Sequence, residues 1–188
     1  MNRTKQAIRE AFWQLLEEKP YSKITVQNIA ERCHINRNTF YYHFPDIPTL
    51  AESTIRGWVT DLLQTRCAFG APSRCVLPLA EECTRRRTAL LHLYRSVSRE
   101  SFLRHLYPLC EKIVRTYIDR ITEDIAVSEH SRETVIRFYK CTMAGVLTDW
   151  LESGASYDLP SFCSDLCISF AGSGKRALLR QSDPPDER

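Results

Sequence analysis

Apolar residues recur every three or four positions along most of the 188-residue chain, and this spacing predicts α-helices rather than strands. A first helix is predicted over residues 4–18 and ends before Pro20, which disfavours helical geometry in the residue that precedes it. The apolar face of this helix consists of Ala7, Ile8, Ala11, Phe12, Leu15 and Leu16. The fold is therefore predicted to be all-α, with about nine helices in total.

Residues 25–44, TVQNIAERCHINRNTFYYHF, are predicted to form two short helices joined by a tight turn. Thr25 is a good N-cap for the first helix, and Asn36 can cap the second. The apolar positions that follow Thr25 at helical spacing are Val26, Ile29, Ala30 and Cys33. His34 falls where the turn needs a residue with positive φ, a conformation that Gly adopts most easily and His, Asn or Asp tolerate.

The second short helix, from Arg37 to Phe44, has a polar outer face, because Phe40 and Phe44 lie four positions apart and can both face inward. An α-helix fits the major groove of B-form DNA, where side-chain donors and acceptors read base edges and others hold phosphates. The candidates for base contacts are Arg37, Asn38 and Thr39. The candidates for phosphate contacts are Thr25, Gln27, Tyr41, Tyr42 and His43. The alternative is a helix pair that serves only as a packing unit.

Charge changes this picture little. The net charge of the chain is +3. Residues 1–50 hold seven Lys and Arg against five Asp and Glu, which gives +2 and leaves +1 for the rest. Attraction to DNA phosphates must therefore come from the local placement of charges rather than from bulk charge.

The sequence contains none of the common enzyme signatures: no Walker loop, GxGxxG, GxSxG, HExxH or paired-cysteine zinc motif. We therefore predict no enzyme activity, no cofactor and no metal. The eight cysteines are scattered and no signal-peptide pattern is present, so we expect a reducing, cytoplasmic location. Cys163 and Cys167, four positions apart, either share a metal or oxidise, or are simply small buried residues. No apolar run approaches the roughly 20 residues of a membrane span.

Beyond the two short helices the pattern predicts a long linking helix over residues 47–66, followed by further helices. The run Arg85-Arg86-Arg87 is predicted to be a solvated turn. A long helical segment is predicted after Ser98, with apolar positions as far as Ile125, and Pro108 is expected to kink or split it.

The helix predicted over residues 131–152 is apolar around more of its circumference than one core requires. Another helix begins at Asp158-Leu159-Pro160. The pair is either an ordinary core hairpin or an interface between two chains. After Gly172-Ser173-Gly174 the helical signal weakens, and residues 181–188 are predicted to be disordered.

Residues 1–50 resemble the N-terminal domain of TetR/AcrR-type bacterial transcriptional regulators, and ITVQNIAERCHINRNTFYYHF at residues 24–44 matches that domain nearly position for position. AGVLTDWLESGASYDLP, at residues 144–160, resembles the stretch through which many members dimerise in a four-helix bundle. The resemblance implies a helix-turn-helix head over residues 1–47 and a regulatory and dimerisation body over residues 48–180. In this family a Lys just before the fourth helix often holds a phosphate, but Pro45-Asp46-Ile47-Pro48 contains none.

By this resemblance the chain is a ligand-responsive transcriptional repressor that binds a palindromic double-stranded DNA operator as a homodimer. The implied dimer contacts are Phe138, Val146, Trp150, Phe162, Leu166 and Phe170. An unknown small-molecule effector is expected in the body, with Trp58, His92, Tyr117 and Tyr139 as candidate lining residues. Two alternatives remain open: a TetR-like coactivator that acts through a protein partner, and an enzyme whose catalytic residues meet only in the folded chain.

Overall fold

The computed structural model describes residues 3–68 and 71–179, and these residues form ten α-helices and one 3₁₀ turn, with no strand among them. The helices are α1 (Arg3–Glu18), α2 (Val26–Arg32), α3 (Arg37–His43), α4 (Ile47–Thr65), α5 (Ser73–Arg85), α6 (Arg87–Tyr94), α7 (Arg99–Ile121), α8 (Glu129–Glu152), α9 (Leu159–Ser169) and α10 (Ser173–Leu179). The 3₁₀ turn Tyr21–Lys23 lies between α1 and α2. The predicted all-α class is confirmed, with one helix more than expected.

Local hydrogen bonds explain why α2 and α3 begin where they do. The Thr25 hydroxyl accepts a hydrogen bond from the Asn28 amide at 3.2 Å, and the Asn28 side chain accepts one from the Thr25 amide at 3.2 Å. Asn36 Oδ1 accepts a hydrogen bond from the Thr39 amide at 2.8 Å. His34, in the turn, has φ of 55°. Both predicted caps and the predicted positive φ are confirmed, because these features depend on neighbouring residues alone.

The apolar core of the N-terminal helices is not closed within them. Ile8, Phe12 and Phe40 are fully buried at its centre. Ala89 and Leu93 of α6 belong to the same cluster of buried residues. The expected boundary between residues 47 and 48 is therefore crossed by continuous packing, and α6 helps to set the position of the head on the body.

In the body, α7 packs along α8, and α5 packs against α9. The last helix, α10, packs on α8 and forms where the helical signal was expected to weaken. That expectation is wrong because Leu178 is buried in an apolar cluster between α7 and α8. The other buried members of this cluster are Val114, Ile118, Val135 and Ile136. Residues 181–188, predicted to be disordered, lie outside the described residues.

Pro108 does not split α7, which runs unbroken from Arg99 to Ile121. A proline inside a helix removes one backbone donor and leaves the carbonyl four residues earlier, here that of Arg104, without its helical partner. Both Pro108 and Arg104 are exposed, so water can hydrate that carbonyl. The helix ends before Ile125, whose side chain is exposed.

Within residues 3–68 and 71–179, each helix is either too short or too polar to cross a bilayer. No three potential metal-ligating side chains come together in the same part of the chain.

Substituting His34 tests how much the left-handed backbone conformation of the turn lowers the free energy of unfolding. We expect His34→Gly to be neutral or to raise the free energy of unfolding, because the relief of strain at positive φ equals or exceeds the opposing entropy that Gly gains in the unfolded chain. His34→Val should lower it, and the two variants should differ by about 1–2 kcal/mol, because a β-branched residue is disfavoured at positive φ. Urea unfolding followed by circular dichroism measures the difference. Equal stability of the two variants would contradict the strained turn.

Candidate nucleic-acid interface and body cavity

The outward face of α3 presents polar and aromatic side chains to solvent. Arg37 and Asn38 are exposed, as are Tyr41 and Tyr42, and 83% of Tyr42 is accessible. Phe40, which faces the other way, is fully buried. The helix is therefore held by its apolar side and leaves its polar side open to a partner.

The predicted contact residues differ in how freely they can bind. Arg37 and Asn38 make no hydrogen bond or ion pair with another side chain in the part of the chain that the structure describes. The Thr39 hydroxyl donates a hydrogen bond to the Asn36 side chain at 3.0 Å, and Thr39 is half-buried. Gln27 Nε2 donates to a Glu31 carboxylate oxygen at 2.7 Å. Arg37 and Asn38 are thus the most available base-reading candidates, whereas Thr39 and Gln27 already have partners.

Aromatic packing fixes the C-terminal end of α3. The ring of His43, which is half-buried, lies edge-to-face against Tyr42 with centroids 5.0 Å apart. Tyr41 contacts the buried Phe40 ring in a similar arrangement at 5.5 Å. The Tyr41 ring is therefore anchored on the buried core, whereas Tyr42 contacts the ring next to it and leaves its hydroxyl in solvent.

Side chains of α1 brace the helix-turn-helix. Arg32 of α2 donates two hydrogen bonds to the Glu18 carboxylate of α1, at 2.8 and 2.7 Å, and these bonds lower the pKa of Glu18. Lys19 donates to the Asn28 side chain at 3.0 Å. The bidentate geometry fixes the orientation of α2 on α1 more strictly than a single contact would.

Asp46 occupies the N-terminus of α4. Its carboxylate accepts a hydrogen bond from the Thr49 amide at 2.7 Å, and this bond lowers the pKa of Asp46. The amides at a helix N-terminus can hold a phosphate, but here the protein's own carboxylate uses one of them. The negative charge of Asp46 also makes this helix N-terminus less favourable for a phosphate.

A cavity of about 1540 Å³ lies in the body and opens to the surface. Its walls come from α4 to α10 and are mainly apolar. Three of the four aromatic residues predicted to line it do so: Trp58, Tyr117 and Tyr139. The indole N–H of Trp58 is buried and has no hydrogen-bond partner among the described residues.

His92 is the exception among the predicted lining residues. Its Nδ1 lies 2.7 Å from the carbonyl oxygen of Leu16, which can only accept, so the ring donates this hydrogen bond. His92 therefore joins α6 to the C-terminal part of α1 and is removed from the ligand-binding set. Sequence spacing gave no sign of this role, since the two residues are 76 positions apart.

Trp13 of the head and Trp58 of the cavity wall meet at an arginine. The two indole rings pack edge-to-face with centroids 5.5 Å apart. The Arg86 guanidinium lies 4.4 Å from the Trp13 centroid and 5.8 Å from the Trp58 centroid. The prediction of a fully solvated arginine turn is therefore wrong for Arg86, which joins α1, α4 and the start of α6 through cation–π contacts.

The face formed by α8 and α9 exposes large apolar side chains. Phe138, Phe162 and Phe170 are 57%, 41% and 56% accessible, and all three also lie at the edge of the cavity. Val146 and Leu166 are half-buried. Trp150 is only 1% accessible and donates its indole N–H to the Tyr157 carbonyl at 3.0 Å. Because Trp150 lies in the core of its own chain, it does not belong to a dimer surface.

A helix-turn-helix with an exposed second helix, carried by a helical body with an open cavity, is the architecture of helix-turn-helix regulators. The chain belongs to the tetR family: the family model described as "Bacterial regulatory proteins, tetR family" matches residues 8–54. A second model, "Transcriptional regulator C-terminal region", matches residues 73–167.

Among curated proteins, the chain is 24% identical over 160 residues to the "Uncharacterized HTH-type transcriptional regulator YxbF" of Bacillus subtilis (strain 168). The match covers 82% of this chain but only 41% of that protein, so the chain spans about two fifths of the length of this relative.

Two solved structures share the fold. The "Dihydroxyacetone kinase operon activator DhaS" has a TM-score of 0.76 at 16% identity, over 94% of this chain and 98% of that one. A TetR transcriptional regulator from Rhodococcus sp. RHA1 has a TM-score of 0.64 at 15% identity, over 96% of this chain and 98% of that one.

The Trp13, Trp58 and Arg86 contact can be tested by stability. We expect Arg86→Ala to lower the free energy of unfolding by about 1–2 kcal/mol, because a partly desolvated cation–π contact is lost. The matched control is Arg87→Ala, since Arg87 is exposed and bonds only to the Gly154 carbonyl among described residues. Urea unfolding measures both variants, and equal losses would show that the stacked arginine adds nothing.

Proposed function

We propose that this chain binds a palindromic DNA operator as a homodimer, represses transcription, and is released from the operator by a small apolar effector. The observation that carries the proposal is the exposed polar face of α3, with Arg37 and Asn38 unpaired among the described residues and with the helix held on a braced head. In a two-fold dimer, two such helices about 34 Å apart enter successive major grooves. Bound across a promoter, such a dimer blocks polymerase without any further contact.

A dimer through α8 and α9 is supported by the exposed phenylalanines of that face. Isolated exposed apolar residues need no explanation, but several large rings on two neighbouring helices favour a partner surface. Gly145 lies on the same stretch of α8, and a Cβ built there meets nothing within 4 Å. A partner helix can therefore approach closely at this point. Because Phe138, Phe162 and Phe170 also border the cavity, the partner would narrow its mouth.

The effector fits the body cavity, whose mainly apolar walls favour a hydrophobic molecule. The unpartnered indole N–H of Trp58 gains a hydrogen bond if the effector carries an acceptor. Since the Trp58 ring also contacts Trp13 of the head, an effector that moves Trp58 acts directly on α1. Release from DNA then follows if the effector binds better to the arrangement whose head spacing does not fit the operator.

Operator binding is tested by gel shift with DNA from the region upstream of the gene, at two salt concentrations. We expect Arg37→Ala to weaken binding by about 1–3 kcal/mol and to relax the base preference, because a base contact is lost. Tyr42→Phe should weaken binding to all sequences evenly, since a phosphate contact carries no sequence information. Arg176→Ala, an exposed arginine of α10, is the control and should bind as the wild type does.

The same assay separates the alternatives. A steep loss of affinity with salt indicates phosphate contacts and argues against a coactivator that works only through a protein partner. Unchanged binding by both α3 variants would remove the recognition helix from the proposal. Small molecules extracted from cells, added to the wild-type complex, should release the DNA if the regulator responds to an effector.

Self-association is tested by sedimentation. We expect the wild type to sediment at twice the 21.8 kDa chain mass and Gly145→Arg to sediment as a monomer, because the new side chain projects from the face where Gly145 meets no other atom. Gln64→Arg adds the same charge at an exposed position on α4 and should remain a dimer. A dimeric Gly145→Arg variant with unchanged helicity would place the interface elsewhere.

A further inference from the structure

Two thiols meet where the linking helix α4 ends and α5 begins. Cys67 follows α4 by two residues, and Cys75 lies in the first turn of α5. Their sulfur atoms are 2.9 Å apart, with the Cys75 thiol donating to the Cys67 sulfur. Neither cysteine forms a disulfide in this structure.

The backbone already holds the two residues together. The Ala68 amide donates to the Arg74 carbonyl at 3.3 Å, so the residues immediately inside the pair are hydrogen-bonded across the loop. The Cys67 thiol in turn lies 3.6 Å from the Cys75 carbonyl oxygen. A disulfide has sulfur atoms about 2.05 Å apart, so joining this pair requires a movement of under about 1 Å.

The two thiols differ in access. Cys67 is half-buried, whereas only 2% of Cys75 is accessible. Burial raises the pKa of both, but the hydrogen bond from Cys75 partly offsets this effect at Cys67. Cys67 is therefore the thiol that an oxidant in solution reaches first, and Cys75 is placed to react with the product.

We propose that Cys67 and Cys75 form a reversible disulfide in response to peroxide, and that this bond changes operator affinity through α4. The Cys67 sulfur attacks one peroxide oxygen; an S–O bond forms, the O–O bond breaks, and water leaves. The Cys75 sulfur then attacks the sulfenic acid on Cys67; the S–S bond forms, the S–O bond breaks, and a second water leaves. Two thiols are oxidised by two electrons and one peroxide is reduced.

The position of the pair connects it to the rest of the regulator. Cys75 lines the body cavity, and α4 runs from the end of the helix-turn-helix to Thr65, two residues before Cys67. Arg66 already pairs with Glu82 of α5 at 3.4 Å, so a covalent bond next to it would lock the α4–α5 junction further. This effect on DNA rests on the proposed function, whereas the disulfide itself does not.

Trypsin separates the two cysteines, because it cleaves after Arg66, Arg74 and Arg85. After treatment of the reduced chain with hydrogen peroxide, we expect peptides 67–74 and 75–85 to be linked, with a mass about 2 Da below their sum, and to separate on adding dithiothreitol. Cys67→Ser and Cys75→Ser should each abolish the linked pair. Cys83→Ser, which removes the other cysteine of the second peptide, and Cys141→Ser, which removes an exposed thiol, should both retain it.

The functional arm compares operator affinity before and after peroxide. We expect the Kd of the wild type to change about fivefold or more, a modest coupling between sites, and that of Cys67→Ser to stay constant. A disulfide formed first by Cys141, or a Cys67 oxidised to sulfinic acid beside a reduced Cys75, would contradict the proposal that Cys67 and Cys75 form the peroxide-responsive disulfide. A Cys67–Cys75 bond with unchanged affinity would overturn its control of DNA binding. If the reduced protein binds no DNA, the proposed function is contradicted. The disulfide can still be tested in that case, because the peptide masses are measured without DNA.

Discussion

Helix α1 packs between the recognition unit and the body, and its contacts set the position of each relative to the other. One side of α1 holds α2 through the bidentate Arg32–Glu18 pair. The other side meets α6, where Leu16 accepts a hydrogen bond from His92 and Trp13 stacks with Arg86. Since a close-packed interior transmits displacement instead of absorbing it, the head cannot turn independently of α6 and α4.

The recognition helix depends on this frame because α3 is only seven residues long. A helix of that length is unstable alone in water, so its shape is maintained by the buried Phe40 and Phe44, the Asn36 cap and the His34 turn. The residues on the exposed side of α3 are therefore not needed for the stability of the helix and are available for binding. Asp46, in contrast, favours stability at the expense of DNA binding. It stabilises the start of α4 while adding a negative charge near the expected DNA backbone.

The body places three features around one cavity. Trp58 connects the cavity wall to the head, the exposed phenylalanines of α8 and α9 border its mouth, and Cys75, which contacts Cys67, lies in its wall. An effector, a partner chain and an oxidant would thus all act on neighbouring parts of the same packed unit. Each of them would alter the packing of a common set of side chains, so coupling between them would require no long pathway.

Features that depend on near neighbours along the chain could be predicted from the sequence alone. Helical periodicity, the Thr25 and Asn36 caps, the positive φ of His34 and the division of α3 into an apolar and a polar side all follow from interactions within a few residues. The resemblance carried by residues 24–44 likewise identified the family. Three features emerged only from the folded chain: Trp150 lies in the core, Leu178 stabilises a tenth helix, and α7 continues past Pro108.

The same holds for the contacts that join distant segments: His92 with Leu16, Arg86 with two tryptophans, and Cys67 with Cys75 across the α4–α5 loop. The burial or partner of a side chain in such contacts is set by which helices pack together. Spacing along the chain gives the face on which a residue lies, but not what lies opposite that face.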